Sequence, residues 1–168
     1  MRQQKFIIRN AAFTDAEAIF LLIRKYPEEL LIRPLGDIVR NIDRCLVCEY
    51  RGAIVGTVSW QILPEIGKPS APTVEIRSLA VDPDFKGRGI GRRLVKEALR
   101  RIRILKPAQV IALTFAPEFF LKLGFKKIEK SSIMHKIYVG CMDCPKFQSP
   151  FTCPEIAMAM TFNRNKRE

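Results

Sequence analysis

The stretch Asp82–Leu94 carries glycines and basic residues at a spacing that fits the binding of a phosphate group. It follows the apolar run Val74–Val81, which predicts a strand, and it precedes apolar residues at helical spacing. Glycines let the backbone N–H groups of such a turn converge on one anion at the positive end of the helix. We therefore predict a turn that holds a phosphate or diphosphate. The residues that bend or charge this turn are the glycines Gly87, Gly89 and Gly91 and the basic residues Lys86, Arg88 and Arg92.

Two other glycine-rich motifs do not fit this stretch. The dinucleotide motif Gly-x-Gly-x-x-Gly needs its glycines directly after the first strand of a βαβ unit, and the P-loop ends in Gly-Lys followed by Ser or Thr. This chain has Lys86-x-x-Gly89-x-Gly91 instead. A glycine-rich turn that joins a strand to a helix and binds nothing remains the alternative.

The elements that position this turn follow from hydrophobic periodicity and turn residues. Thr14–Glu17 has the pattern of a capping box, which predicts the start of a helix that ends at Pro27. This order of elements predicts an α/β (α+β) fold with a mixed sheet flanked by helices. The other predicted segments are strands at 6–9, 45–51, 54–63, 74–81, 110–114, 125–128 and 156–162, and helices at 37–44, after Gly91 and at 117–124.

Length and composition limit the classes of protein. A chain of 168 residues that is 48% hydrophobic is long enough for one domain spanning residues 1–168. It has neither an apolar run as long as a membrane span nor the apolar region of a signal peptide, so we expect a cytoplasmic protein without a membrane partner. Five cysteines, an odd number, suit a reducing compartment. Cys45 and Cys48 lie three apart in one predicted strand and should face opposite sides.

The formal net charge of +12 raises the alternative of nucleic-acid binding. The basic residues are concentrated in residues 86–106, however, where they follow the predicted phosphate turn and would steer an anionic cofactor. We therefore expect a small-molecule cofactor and no nucleic acid. A zinc-stabilised basic module that binds nucleic acid is the rival from another class.

Three cysteines near the C terminus offer ligands for a metal ion. Cys141 and Cys144 form a Cys-x-x-Cys half-site, and Cys153 with a fourth ligand such as His135 would complete a zinc site. A full zinc site normally shows two such halves, so three packed thiols are the alternative and the metal stays unassigned.

The pattern Lys86-x-x-Gly89-x-Gly91 resembles the pyrophosphate loop of the GNAT acyltransferases, Arg/Gln-x-x-Gly-x-Gly/Ala. Lys86 stands where that family has Arg or Gln, which keeps the charge but loses the planar donor. Residues 117–125 resemble the family's Phe-Tyr-x-Lys-x-Gly-Phe segment, with Phe120 in place of the tyrosine that often protonates the departing thiolate. This position offers no general acid, although a thiolate is a tolerable leaving group without one. The resemblance implies the GNAT fold, in which the mixed sheet is mostly antiparallel.

The C-terminal segment of about residues 135–155 indicates which members of the GNAT family this chain resembles most. Together with residues 113–120, it is similar to the short, stand-alone N-acetylglutamate synthases, which end in a similar His-Lys and Cys-x-x-Cys-Pro-Lys-Phe segment. That family implies transfer of acetyl from acetyl-CoA to the α-amino group of L-glutamate, the first step of arginine biosynthesis. A GNAT enzyme that acetylates another amine or a protein N-terminus is the alternative. The oligomeric state stays open, a homodimer included.

Candidate roles follow from acetyl transfer to an amine. The α-amino group is mostly protonated at pH 7 and must lose a proton before it attacks the thioester. Glu75 on the predicted central strand is the candidate to accept that proton, and a surface carboxylate is its alternative. Backbone N–H groups after Glu75 would polarise the thioester carbonyl, and the turn would hold the pyrophosphate. The cofactor-binding residues are then Leu79, Ala80, Val81, Lys86, Gly87, Arg88, Gly89, Ile90, Gly91 and Arg92.

Two arginines are candidates for binding the carboxylates of the acceptor, because planar guanidinium groups pair with carboxylates through two hydrogen bonds. Arg77 lies two residues after Glu75 on the same face of the predicted strand and is the first candidate. Arg33, in the loop after the first helix, is the second and rests partly on an arginine that the synthases carry near this loop. An ordinary surface arginine is the alternative for each.

Overall fold

The computed structural model describes residues 5–63, 71–142 and 144–162. The chain forms two compact units, Met1–Gln61 with Ile76–Arg101 and Ile62–Glu75 with Ile102–Glu168. Seven strands among the described residues confirm the predicted mixed, mostly antiparallel sheet with flanking helices. No helix in the described ranges is long and apolar enough to cross a membrane.

In the first unit, the strand order is β1-β2-β3-β4. β2 and β3 form the predicted antiparallel hairpin, whose turn residues Arg51 and Gly52 have positive φ angles of 52° and 80°. β1 is antiparallel to β2, with Ile8 opposite Cys48. The elements that lie wholly or mostly in this unit are β1 (Ile7–Asn10), α1 (Ala16–Ile23), α2 (Leu35–Arg40), β2 (Cys45–Tyr50), β3 (Ala53–Leu63), β4 (Thr73–Val81) and α3 (Ile90–Ile104). The first residues of β4, through Glu75, belong to the second unit.

Helices cover both faces of β2, which explains why apolar residues occupy nearly every position of this strand. Cys45 packs with Ile19 and other residues of α1 and α2. Cys48 lies on the opposite face, where a side chain on Gly56 would begin 3.3 Å from Cys48 and 2.9 Å from Ile90 of α3. The prediction that the two cysteines face opposite sides is confirmed, and a glycine at 56 lets α3 pack this closely.

The start of α1 differs from the prediction. A 3₁₀ turn at Phe13–Asp15 precedes the helix, and no side chain of Thr14–Glu17 caps it as a capping box would. Asp15 instead accepts a hydrogen bond from the Ala12 N–H (2.7 Å) and forms an ion pair with Arg9 of β1 (2.6 Å). Asp15 thus closes a local turn with Ala12 and also pairs with Arg9, so the capping box predicted at Thr14–Glu17 is wrong.

Asp15 should make the stability of the first unit depend on pH. Its hydrogen bond from Arg9 lowers the pKa of this carboxyl from its ordinary value. The stability it contributes is therefore present above about pH 4 and is lost as the pH falls through the lowered pKa. Asp15→Asn should destabilise the protein by about 1.5–3 kcal/mol at pH 7, with a smaller difference at pH 3. Urea unfolding at both pH values checks this, and an equal difference at both would contradict it.

In the second unit, the strand order is β4-β5-β7-β6. β5 (Gln109–Thr114) is parallel to the start of β4, β7 (Ile156–Met160) is antiparallel to β5, and β6 (Lys126–Lys127) is antiparallel to β7. Two short helices, α4 (Pro117–Leu121) and α5 (Met134–Lys136), lie in the connections. The strand predicted at 125–128 is therefore reduced to its two central residues.

The segment between β6 and β7 contains helical turns that the residue pattern does not predict. A 3₁₀ turn at Lys130–Ile133 precedes α5, and a π-helical turn at Ile137–Cys141 follows it. Ser131, Ser132 and Gly140 are poor helix formers, so local propensity gives no helix signal here. Burial of the apolar residues in this segment, Ile133 and Ile137, stabilises it instead.

Candidate active site

The predicted phosphate turn adopts the backbone geometry that its glycines allow. A 3₁₀ turn at Pro83–Phe85 leads into Gly87 and Gly89, whose φ angles of 76° and 74° lie in the left-handed region. α3 then begins at Ile90. The N–H groups of residues 89–92 have no carbonyl partner within the helix and form the positive end of its dipole. This arrangement can bind a diphosphate.

Aromatic rings hold two of the cations of this turn. The Lys86 ammonium lies 4.6 Å from the ring centroid of Tyr26, and the Arg88 guanidinium lies 5.1 Å from that of Phe85. Such contacts stabilise by about 0.5–1 kcal/mol at exposed sites. Both cations, together with the exposed Arg92, remain at the entrance to α3.

β4 has an irregular backbone at Ser78, whose φ of 53° is rare for a residue other than glycine. Such a conformation costs about 1–3 kcal/mol and persists where the surroundings hold it, often at functional sites. Ser59 Oγ donates to the Arg77 carbonyl and Arg33 Nε donates to Ser78 Oγ, each at 3.2 Å. The irregularity comes directly before Leu79–Val81, the segment predicted to polarise the thioester carbonyl.

The two arginines predicted to bind the acceptor meet at one carboxylate. Asp37 Oδ2 lies 3.6 Å from Arg33 Nη1 and 3.9 Å from Arg77 Nη2. Arg77 also donates to Gln61 Oε1 at 2.7 Å. The three charged side chains line a cavity of about 20 Å³ in the first unit. Arg33 is 20% exposed and Arg77 only 9%, so Arg33 is the more accessible of the two.

Glu75 is buried in the second unit, with 6% of its side chain exposed. Its Oε2 lies 2.9 Å from Nζ of Lys136, whose side chain is 9% exposed. The surface-carboxylate alternative for Glu75 is therefore wrong. Lys136 gave no signal in the sequence, because it lies far along the chain in the segment whose helical turns the pattern missed.

Phe120 packs as a core residue of the second unit. Its ring centroid lies 5.2 Å from those of Phe119 and Phe125, in edge-to-face arrangements. The position where the GNAT pattern often has tyrosine thus holds an apolar ring that cannot donate a proton.

The C-terminal cysteines share one small cavity. Cys141, Cys144 and Cys153 line a space of about 20 Å³ together with Lys130 and Glu155. Burial raises the pKa of the Cys141 and Cys153 thiols, which favours the protonated form over the metal-binding thiolate. Within the part of the chain that the structure describes, no group of three or more His, Cys, Asp and Glu side chains is placed to hold a metal ion.

A family model described as the acetyltransferase (GNAT) domain matches residues 41–127, just over half of the chain. The chain belongs to the GNAT family. An uncharacterized N-acetyltransferase of Chlorobaculum tepidum is 35% identical to this GNAT chain over 156 residues, which cover 92% of this chain and 95% of that protein. An amino-acid acetyltransferase of Mycobacterium tuberculosis is 31% identical over 137 residues, covering 79% of this chain and 75% of that protein.

A solved structure shares the fold of this GNAT chain. The N-acetylglutamate synthase of Neisseria gonorrhoeae, complexed with coenzyme A and N-acetyl-glutamate, matches with a TM-score of 0.77 at 22% identity. The match covers 97% of this chain and 36% of that chain. The predicted GNAT fold is confirmed, and the chain is an N-acetyltransferase.

Proposed function

We propose that this enzyme transfers the acetyl group of acetyl-CoA to the α-amino group of L-glutamate, as an N-acetylglutamate synthase of arginine biosynthesis in the cytoplasm. The observation that carries the proposal is the convergence of Arg33 and Arg77 on a single carboxylate, that of Asp37. The amino-acid acetyltransferase among its relatives and the N-acetyl-glutamate in the Neisseria complex support the same acceptor class.

Acetyl-CoA would bind along the end of β4 and the turn that follows it. The N–H groups at the start of α3 would bind the pyrophosphate, with Lys86, Arg88 and Arg92 beside it. The backbone of Leu79–Val81 would polarise the thioester carbonyl, because the positive φ of Ser78 interrupts the regular strand directly before it.

The acceptor would bind at the arginine pair, whose positive charge Asp37 only partly neutralises. Arg33 and Arg77 bring two positive charges and Asp37 one negative charge, which leaves one positive charge for a carboxylate of the acceptor. Arg33 is the more accessible, so we assign it the direct contact. Arg77, which donates a hydrogen bond to Gln61, would add a second positive charge near the bound carboxylate. An acceptor without a carboxylate would gain nothing from this arrangement.

Arg33→Ala should raise the KM for L-glutamate by about 10- to 100-fold, since a lost charge-assisted hydrogen bond costs about 1.5–3 kcal/mol. The KM for acetyl-CoA should not change. Arg77→Ala should also raise the glutamate KM, with a loss of stability because this side chain is buried. Steady-state thiol release from acetyl-CoA measures the KM values, and thermal unfolding measures the stability of Arg77→Ala.

The matched control is Arg40→Ala, which removes an exposed arginine from α2. It should leave both KM values at their wild-type levels. If Arg33→Ala and Arg40→Ala behave alike, Arg33 is an ordinary surface arginine. If the wild-type enzyme releases no thiol with L-glutamate, the proposed acceptor is wrong.

A further inference from the structure

A buried ion pair in the second unit contains Glu75, the candidate for accepting the proton of the acceptor amine. Lys136 Nζ lies 2.9 Å from Glu75 Oε2, and both side chains are more than nine-tenths buried. Removing a charge from water is strongly unfavourable unless a partner compensates for it. Each of these two groups therefore depends on the other to remain charged.

The chain leaves space for the ammonium group at this position. A side chain on Gly140 would begin 2.7 Å from Lys136 Nζ, closer than a Cβ atom can approach. Gly140 is not among the glycines with positive φ, so its backbone conformation does not require glycine. Glycine at position 140 therefore serves to leave space for the Lys136 amine. Gly140 lies in the π-helical turn Ile137–Cys141, a kind of turn that is frequent at functional sites.

Further titratable and charged groups face the pair. Glu155 interacts electrostatically with Glu75, Lys136 and Lys130. The Cys141 thiol also interacts electrostatically with Glu75 and Lys136. Burial, reinforced by the charge of Glu75, raises the pKa of Glu155. Lys136 and Lys130 act in the opposite direction on Glu155, so both lysines favour a negative charge at this position.

We propose that Lys136 is a positioning residue that holds Glu75 ionised and fixes its carboxylate through Oε2, so that the second oxygen can accept the proton of the acceptor amine. The inference rests on the proposed acetyl transfer and on Glu75 as its proton acceptor, and it does not depend on which amine is the acceptor. Gly140 contributes to this positioning, because a side chain at position 140 would occupy the space that the Lys136 ammonium group fills.

Lys136→Met tests this role, with Lys127→Met as the matched control, since Lys127 is exposed in β6 of the same unit. Lys136→Met should lower kcat at pH 7 by about tenfold or more and move the acid side of the pH profile upward by about one unit or more. Lys136→Arg keeps the positive charge and should restore part of the loss. The control should match the wild type in both readouts.

Gly140→Ala tests the same role without removing the amine, so it remains informative if Lys136→Met does not fold. Because the new Cβ would displace the end of the Lys136 side chain, we expect the same upward shift of the pH profile, smaller in size. In the Lys136→Met background, which lacks the displaced atom, Gly140→Ala should have no further effect. Equal added effects in both backgrounds would show that Gly140 acts independently of the amine.

The failure of this inference can be told from a failure of the proposed function. Assays use the amine with the highest wild-type kcat/KM, and circular dichroism confirms that each variant is folded. A fastest amine other than glutamate refutes the proposed acceptor but leaves the role of Lys136 testable. Folded Lys136→Met and Gly140→Ala enzymes with the kcat and pH profile of Lys127→Met would overturn the inference, whichever amine is used.

Discussion

Gly91→Asp should abolish binding of acetyl-CoA by a protein that is still folded. Gly91 is the second residue of α3, where the helix N–H groups would bind the pyrophosphate. An aspartate at this position suits the helix dipole, so the helix should remain intact. Its carboxylate would nevertheless occupy the place of the diphosphate and repel it. Isothermal titration calorimetry with acetyl-CoA measures the loss, and circular dichroism monitors the fold.

Gly36→Asp is the control for this variant, because Gly36 is the second residue of α2 and nothing lies within 4 Å of the side chain it would gain. It adds the same charge at the same helical position and should bind acetyl-CoA like the wild type. Gly91→Asp is preferable to Gly89→Asp, since Gly89 has a φ of 74° that an aspartate would strain. Unchanged affinity in Gly91→Asp would exclude the turn as the pyrophosphate site.

Glu75→Gln should lower kcat by about 100-fold or more, the range expected for loss of a general base. The amide keeps the shape of the side chain but cannot take the proton from the acceptor amine. Affinity for acetyl-CoA should change little, because the proposed pyrophosphate site lies in the turn before α3. Single-turnover thiol release, followed from pH 6 to pH 9, separates the chemical step from product release.

This variant leaves the Lys136 ammonium buried without its carboxylate, which should lower the melting temperature. The double variant Glu75→Gln, Lys136→Met removes both charges and should recover part of that stability while turnover stays low. If the double variant regains wild-type turnover, Glu75 contributes to the fold and not to proton transfer.

Local signals predicted the parts of the site that the chain builds from neighbouring residues. The turn before α3 could be predicted because the positive φ angles at Gly87 and Gly89 are encoded by the residue type itself. The hairpin of β2 and β3 was predictable for the same reason, through the turn at Gly52. α3 followed from its strong apolar periodicity.

The parts that depend on tertiary contacts could not be predicted. Arg33 and Asp37 lie four residues apart, but nothing in the sequence indicated that Arg77 joins them. The positive φ of Ser78 has no residue-type signal. Lys136, the partner of Glu75, lies in a segment of poor helix formers. Nothing in the sequence distinguishes it there from an exposed lysine.

Acetyl transfer to L-glutamate is tested most directly by competition between amines in one reaction. Purified enzyme would be given acetyl-CoA and an equimolar mixture of L-glutamate, L-glutamine, L-lysine, spermidine and a peptide with a free N-terminus, with products identified by mass spectrometry. We expect N-acetylglutamate as the main product, and its share should fall in Arg33→Ala but not in Arg40→Ala. A main product from any other amine in the mixture, or a product distribution that Arg33→Ala leaves unchanged, would contradict L-glutamate as the acceptor.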